Sequence, residues 1–287
     1  MMKICYVITK ADEIGGAQVH VRDLCNHAKE NGHEVFVIVG ENGLFVEQLR
    51  QNEISVFVVP TLVREIRPTN DFKAIMQIRS IVKCCKPDVI ALHSSKAGII
   101  GRIVANLLRI PVVFTAHGWA FADGVSEKKR KLYTAIEKIF AFRTDRIITV
   151  SEQDRQLALK YNVAKQESMI TIHNGVCDIG LPTNNDNSET VNLIMVARFS
   201  DQKDHETLFC TLPLLKSKNW NLTLVGKGNN IEKCQNAIKG TEFESKVHFL
   251  GERNDVPELL KQSDVFLLIS NWEGYPMSTL EAMSTGS

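Results

Sequence analysis

The sequence predicts an α/β protein of two doubly wound domains, the second of them incomplete. Three observations carry this. Short β-branched runs recur, a longer helix-period stretch follows each, and one polar segment divides the series in two. The first series of runs occupies residues 3–9, 34–39, 54–59, 88–93, 111–116, 146–150 and 169–173. Their apolar character is nearly continuous, as expected of parallel strands covered by helices on both faces. Stretches such as 17–31 and 71–85 carry the helical period between them. Residues 178–190 are polar, rich in Gly, Pro, Asn and Ser, and without periodicity, so they read as a linker. Strands resume at 191–197, 221–225, 247–250 and 264–269. The expected organisation is a domain over 1–177, a linker over 178–190 and a shorter domain over 191–287. Two such domains would set the carboxyl ends of their strands on either side of a cleft, where open α/β sheets bind ligands.

Composition narrows the function. The chain has 287 residues, a hydrophobic fraction of 44% and a formal net charge of +1, which argues for soluble domains and against nucleic acid as a partner. Its seven cysteines form no C-x-x-C and read as small buried hydrophobes in a reducing compartment. The apolar start at residues 4–8 is too short for a secretion signal, and no run reaches the roughly 18–20 apolar residues of a membrane span. A cytoplasmic protein is expected. Residues 126–146 set Lys128, Lys129, Arg130, Lys131, Lys138, Arg143 and Arg146 against Glu127, Glu137 and Asp145. The same helix carries Leu132, Tyr133, Ile136, Ile139 and Phe140. Such a basic amphipathic helix either lies on an anionic membrane or packs its apolar stripe on the sheet.

The strand ends supply the candidate site. Gly15 and Gly16 follow the first run and open a helix, a place where backbone approaches a ligand and anions are favoured. Arg198 and Lys203 follow the first strand of the second domain and are placed to clamp a diphosphate. Gly226 closes the next strand in Gly226-Lys227-Gly228. Glu273-Gly274-Tyr275-Pro276 leads to a helix beginning near Met277, with Glu281 about one turn inside it. One of these carboxylates would hold sugar hydroxyls and the other a ribose. His93 and His117 both stand at strand carboxyl ends, facing the expected cleft, whereas His20, His33, His173, His205 and His248 read as structural. No H-E-x-x-H, C-x-x-C or D-x-D is present, so no metal is expected. Taken singly, each pattern also fits a glycine turn, a solvated ion pair or a charged helix face.

Their order and spacing are more specific. GGAQVHVRDL, HSSKAGIIGR, FTAHGWAF, ITVSEQD, IHNGV, VARFSDQKDHETL, LVGKG, FLGERNDVPELLKQSDVFLLIS and EGYPMSTLEAMSTG occur in turn over essentially the whole chain. With Arg198-x4-Lys203 upstream of Glu273-x7-Glu281, the chain resembles the family 4 retaining glycosyltransferases, most closely members that build bacterial surface polysaccharides. The resemblance implies the GT-B architecture of two Rossmann-like domains, the first on the acceptor side and the second binding a nucleotide-diphosphate sugar. It implies that Gly15 and Gly16 lie against donor phosphates or acceptor, and His117 near the donor sugar. Arg198 and Lys203 would hold the diphosphate. Glu273 and the backbone of Gly274, Tyr275, Pro276 and Met277 would hold the transferred sugar. Glu281 would bind the ribose, and Arg253 and Val256 would lie near the base. Ala197 departs from the Gly that many members carry before the Arg.

The expected reaction moves a sugar to a saccharide or polyprenyl-linked acceptor, with retention and without a metal. It takes place in the cytoplasm, with peripheral contact through 126–146 on the inner membrane face. Arg198, Lys203 and the helix N-terminus near Gly274 would stabilise the leaving diphosphate. No obvious carboxylate nucleophile ends a first-domain strand, which favours front-face attack over a covalent intermediate. A nucleotide-sugar epimerase of the same architecture and an inactive binding fragment are the alternatives. Family members continue with further strands and a helix returning to the first domain, so a truncated enzyme of doubtful turnover is expected.

Overall fold

The computed structural model describes residues 1–12, 14–122, 124–178, 180, 190–215 and 219–286. They form two compact units, Met1–Asn174 and Gly175–Ser287. Apart from residues 178, 180 and 190, the expected linker lies outside the described residues.

The first unit alternates strand and helix throughout. Its elements are β1 (Lys3–Ile8), α1 (Gly16–Glu30), β2 (Glu34–Val39), α2 (Leu44–Gln51), β3 (Ser55–Val58), α3 (Pro68–Cys85), β4 (Val89–His93), α4 (Ser95–Leu108), β5 (Val112–Ala116), α5 (Glu127–Ala141), β6 (Arg146–Thr149), α6 (Glu152–Lys160) and β7 (Met169–Thr171). The seven strands form one sheet in the order β3-β2-β1-β4-β5-β6-β7. All pairings are parallel. Alternate residues of β1 and β2 enter different cores. Cys5, Val7, Phe36 and Ile38 face one, and Tyr6, Ile8, Val37 and Val39 the other. Burial on both faces is why these runs lack polar alternation.

Helix α4 runs close against the sheet. A Cβ on Gly101 would stand 2.2 Å from Leu92, and one on Gly98 2.7 Å from the Phe114 ring. Glycine at these two positions therefore sets the helix-to-sheet distance. The close approach buries Arg102, which is 1% exposed. Its guanidinium lies 3.9 Å from the Phe114 ring centroid, and Nη1 donates to Glu137 of α5 at 2.9 Å.

The second unit repeats the pattern on a smaller scale, with β8 (Thr190–Val196), α7 (His205–Thr211), β9 (Asn219–Val225), α8 (Ile231–Ile238), β10 (Val247–Gly251), α9 (Val256–Lys261), β11 (Val265–Phe266) and α10 (Met277–Thr285). Its four strands run in the order β10-β9-β8-β11, again all parallel. Numbered from its own first strand this order is 3-2-1-4, the same as the start of the first sheet. The last strand is shorter than the expected 264–269. After the Leu267 amide donates to Ile194 at 2.7 Å, the backbone leaves β8. The Ile269 carbonyl then accepts from the Asp204 amide at 3.0 Å.

Two expectations need correction. Only Cys5, Cys25 and Cys234 are buried; Cys84, Cys177 and Cys210 are exposed and Cys85 is intermediate. In the case of Cys84 and Cys85, an apolar run does not place two successive residues on one helical face. The apolar residues of α5 also divide. Its sheet-facing side buries Thr134, Glu137 and Ala141, whereas Leu132, Ile139 and the following Phe142 are exposed at 53%, 67% and 92%. Tyr133, Ile136 and Phe140 stay half-buried, and Arg102 explains why Glu137 joins the buried side, because a buried guanidinium requires a carboxylate opposite it.

Removing one partner of that pair leaves the other charge buried. Glu137→Ala is expected to destabilise the protein by about 3–5 kcal/mol, and Arg102→Met with Glu137→Leu to recover most of the loss. Urea denaturation of the two variants checks this; equal losses in both would contradict it.

Candidate active site

In each sheet the order of connection reverses beside the first strand, and strand carboxyl ends at such a reversal are where ligands of this architecture sit. In the second unit the reversal lies between β8 and β11. The loop after β8 carries Arg198 and Lys203, and the loop after β11 carries Glu273. Backbone and side chains stitch these loops together. Lys203 and Ser270 form an antiparallel bridge, and the Asn271 amide donates to Gln202 at 2.8 Å. The Gln202 side chain donates to the Trp272 carbonyl at 2.8 Å, and the Asn271 side chain to the Asp201 carbonyl at 2.8 Å. Lys203 Nζ is thereby held against Glu273 in an ion pair, with the two side chains only 10% and 22% exposed. Below them Phe199 is fully buried. His205 stacks on it at 4.3 Å between ring centroids, with Nδ1 3.0 Å from the Lys203 carbonyl oxygen. Burial pushes the His205 pKa down, which keeps this support neutral.

Arg198 stands two residues past β8 and is exposed. Among the described residues it makes no ion pair. Its backbone is pressed by Gly226, whose φ of +141° suits glycine, and a Cβ there would meet the Ala197 carbonyl oxygen at 2.1 Å. From Glu273 the chain passes through the partly buried Gly274, Tyr275 and Pro276 into α10. Pro276 occupies the N-cap with no side-chain cap on the first turn. Among the described residues no N-cap side chain therefore takes up the amides of Met277 and its successors. Glu281 lies one turn inside α10 and is partly exposed. Arg253 is held in the loop after β10 by Asp255, at 2.8 Å from Nε and 2.5 Å from Nη2. Val256 is the first residue of α9.

The first unit has its own constellation at the reversal between β1 and β4. Thr9 and Ser94, just past these strands, share a hydrogen bond of 2.9 Å. Ser94 adopts φ +80°, an uncommon conformation for a residue with a side chain. His93 is the last residue of β4, and His117 follows β5. His93 Nδ1 lies 3.0 Å from His117 Nε2. His20, one turn into α1 from Gly16, places its ring 5.0 Å from His117 and 5.7 Å from His93. Gly15 is the N-cap of α1; its amide donates to Gln18 Oε1 at 3.2 Å, which leaves the exposed Gly16 as the open part of that turn.

Burial holds all three imidazoles below their ordinary pKa; neighbouring histidines add to it at His93 and at His117, which falls to about 3, while Asp23 opposes it at His20. The trio therefore stays neutral at physiological pH. Its ligand atoms lie within 4.8 Å of one another, near enough to hold a metal ion. The surroundings fit one poorly. A metal on His93 Nδ1 would put a hydrogen on its buried Nε2, which has no partner. Metal-bound imidazoles ordinarily give that hydrogen to an acceptor.

Sequence reading set His20 aside as structural and made no use of His93 beyond its place at a strand end. The signal was present: His93 and His117 end adjacent parallel strands, and His20 follows the glycine turn at helical spacing. What the sequence alone withholds is that β4 and β5 are neighbours.

Known proteins can now be compared with this geometry. Residues 14–178 match the model of Glycosyltransferase Family 4, and residues 182–287 that of Glycosyl transferases group 1. The UDP-Gal:alpha-D-GlcNAc-diphosphoundecaprenol alpha-1,3-galactosyltransferase of Escherichia coli is 31% identical over 270 residues, covering 88% of this chain and 70% of that protein. The O-antigen biosynthesis glycosyltransferase WbnH, also of Escherichia coli, is 29% identical over 98% of this chain and 78% of its own length. Among solved structures, Anabaena Alr3699/HepE in complex with UDP and glucose superposes with a TM-score of 0.82 at 19% identity, over all of this chain and 79% of that one. The lipopolysaccharide glycosyltransferase WaaG superposes at 0.72 with 18% identity, over 99% of this chain and 79% of its own. The two sheets, the loops that follow them and these matches agree: the chain is a glycosyltransferase of family 4, with the GT-B fold.

Proposed function

We propose that the protein transfers a sugar from a nucleoside-diphosphate sugar to a polyprenyl-diphosphate-linked saccharide, with retention of configuration and without a metal, in the synthesis of a bacterial surface polysaccharide. The observation that carries the reading is the stitched pair of loops in the second unit. There a cation and a carboxylate are fixed beside the uncapped N-terminus of α10. The anomeric carbon of such a donor carries a diphosphate leaving group, and its departure needs positive charge where negative charge develops. Arg198 supplies a forked donor and Lys203 a compact charge. The amides of Met277 and its successors add the positive end of a helix. Glu273 holds Lys203 in place and takes the hydroxyls of the transferred sugar. His117 is assigned to the donor sugar, Gly15 and Gly16 to phosphate or acceptor, and Gly226 to the donor. Glu281 is assigned to the ribose, and Arg253 and Val256 to the base.

UDP-sugars are the first donors to test, because the galactosyltransferase relative uses UDP-Gal and HepE binds UDP-glucose. The acceptor class is supported by that relative and by a Campylobacter jejuni one. The latter is an N,N'-diacetylbacillosaminyl-diphospho-undecaprenol alpha-1,3-N-acetylgalactosaminyltransferase, 26% identical over 90% of this chain. Retention rests on the family resemblance. Front-face attack, with the leaving phosphate taking the acceptor proton, needs no carboxylate nucleophile at a strand end of the first unit.

A lipid-linked acceptor places the reaction at the cytoplasmic membrane face, and the outer side of α5 suits that surface. Exposed Leu132, Ile139 and Phe142 stand among Lys128, Lys129, Lys131, Lys138 and Arg143. Leu107 of α4, also exposed, lines a common cavity of about 230 Å³ with Phe140 and Arg143. Apolar residues beside a basic row match a headgroup layer, where each Lys or Arg contributes about 1 kcal/mol.

Three outcomes follow. Arg198→Ala and Lys203→Ala should each weaken UDP binding by about 1.5–3 kcal/mol in calorimetry; unchanged affinity in both would remove the diphosphate clamp. Sugar transfer should persist in excess chelator. Activity lost there and restored by magnesium or manganese would show that a metal performs the neutralisation. The protein should sediment with vesicles containing anionic lipid at low salt and less so with Ile139→Glu and Phe142→Glu. Equal sedimentation of the variant would place the membrane contact elsewhere.

A further inference from the structure

We propose that His93 is a positioning residue: it donates from Nδ1 to His117 Nε2 and so fixes His117 as the tautomer whose Nδ1–H faces the sugar substrate. The inference rests on the assignment of His117 to that substrate and goes beyond it by naming the group that prepares His117.

Two neutral imidazoles 3.0 Å apart share one hydrogen between the facing nitrogens. Either His93 donates or His117 does, and each choice sets the opposite nitrogen of both rings. If His117 donated, His93 would carry its own hydrogen on Nε2. That atom is sealed from solvent and has no hydrogen-bond partner, on a residue only 1% exposed. A buried N–H without an acceptor is among the rarest features of folded proteins, rarer than an under-satisfied acceptor. The structure therefore favours His93 as the donor, with its Nε2 left as a bare acceptor.

The consequence falls on His117. With Nε2 occupied as an acceptor, its hydrogen sits on Nδ1. Among the described residues His117 makes no second hydrogen bond, and its Nδ1 is not among the atoms sealed from solvent. His117 thus presents one outward N–H, just past the carboxyl end of β5. His20 closes the other side of the ring edge-on, at 76° between planes, so rotation of the imidazole would displace it. Ring and tautomer are both set before a ligand arrives, and an acceptor oxygen of a sugar hydroxyl is the group an outward N–H recognises. Burial and the neighbouring rings keep both imidazoles uncharged, so the contact remains one between neutral partners.

The test is direct. Two-bond proton–nitrogen correlation spectra of the protein labelled with 15N-histidine report which nitrogen of each ring is protonated. We expect His117 to carry hydrogen on Nδ1 in the wild type and to shift toward Nε2–H in His93→Leu. An Nε2–H tautomer of His117 in the wild type, or a tautomer unmoved by His93→Leu, overturns the proposal. Kinetics give a second readout. His93→Asn keeps an amide donor near the place of Nδ1 and should retain kcat, whereas His93→Leu should lower kcat about tenfold with little change in donor KM. Equal losses in both variants would mean a packing role and would also overturn the proposal. His117→Ala separates the underlying reading: unchanged sugar transfer would overturn the assignment of His117 and the proposal with it. Impaired transfer alongside the wrong tautomer would overturn the role of His93 alone.

Discussion

Both sheets reverse their order of connection beside their first strand, and the chemistry of the protein depends on that constraint. A parallel strand must be followed by a crossover, and right-handed crossovers lead to one side or the other of the starting strand. Where successive crossovers change side, the loops leaving two neighbouring strands diverge and open a crevice at their carboxyl ends. In the second unit those strands are β8 and β11, whose loops carry Arg198, Lys203 and Glu273. In the first unit they are β1 and β4, followed by Thr9, Ser94 and, one strand further on, His117. The candidate residues are far apart in sequence within each unit. Topology gathers them.

Much of this was legible beforehand because the central strands are buried on both faces. Double burial writes a continuous apolar run into the sequence, and among the described residues all eleven strands fall on runs that can be read without a structure. The glycines of HSSKAGIIGR were visible as a motif. Their reason, the contact of α4 with Leu92 and Phe114, needed coordinates. Polar groups inside the fold were the least legible. Nothing in the spacing of Arg102 and Glu137 announces an ion pair across two helices, and the helix that buries Glu137 turns Leu132 and Ile139 outward. Amphipathic reading assumes that only apolar residues choose the face. Here a buried guanidinium shares in the choice.

The histidines show the same limit from another side. A lone histidine at a strand end is a weak signal, because the sequence does not say which strands are neighbours. Once β4 and β5 are paired, with His93 opposite Thr115 in register, two weak signals become one contact. His20 adds a third imidazole from a helix. Its burial, like that of the other two, favours the uncharged form. A trio of neutral rings can offer directed hydrogen bonds but no charge, which agrees with the proposed assignment of His117 to a sugar.

The second unit would face the opposite problem under the proposed function. A diphosphate is recognised by charge, and a cation buried to meet it must be stable in its place. Lys203 is only 10% exposed and is held by Glu273, so its desolvation is offset by an ion pair. Arg198 is exposed. The two cations thus differ in kind: one is fixed and partnered, the other free to fold onto a ligand. Catalysis by charge stabilisation gains most from groups that need not reorganise as the bond breaks. Lys203, tied by an ion pair to one loop and by backbone bonds to the other, satisfies that condition. Arg198, five residues earlier on the same loop, is exposed and makes no ion pair among the described residues, so in the proposed clamp it is the adaptable partner.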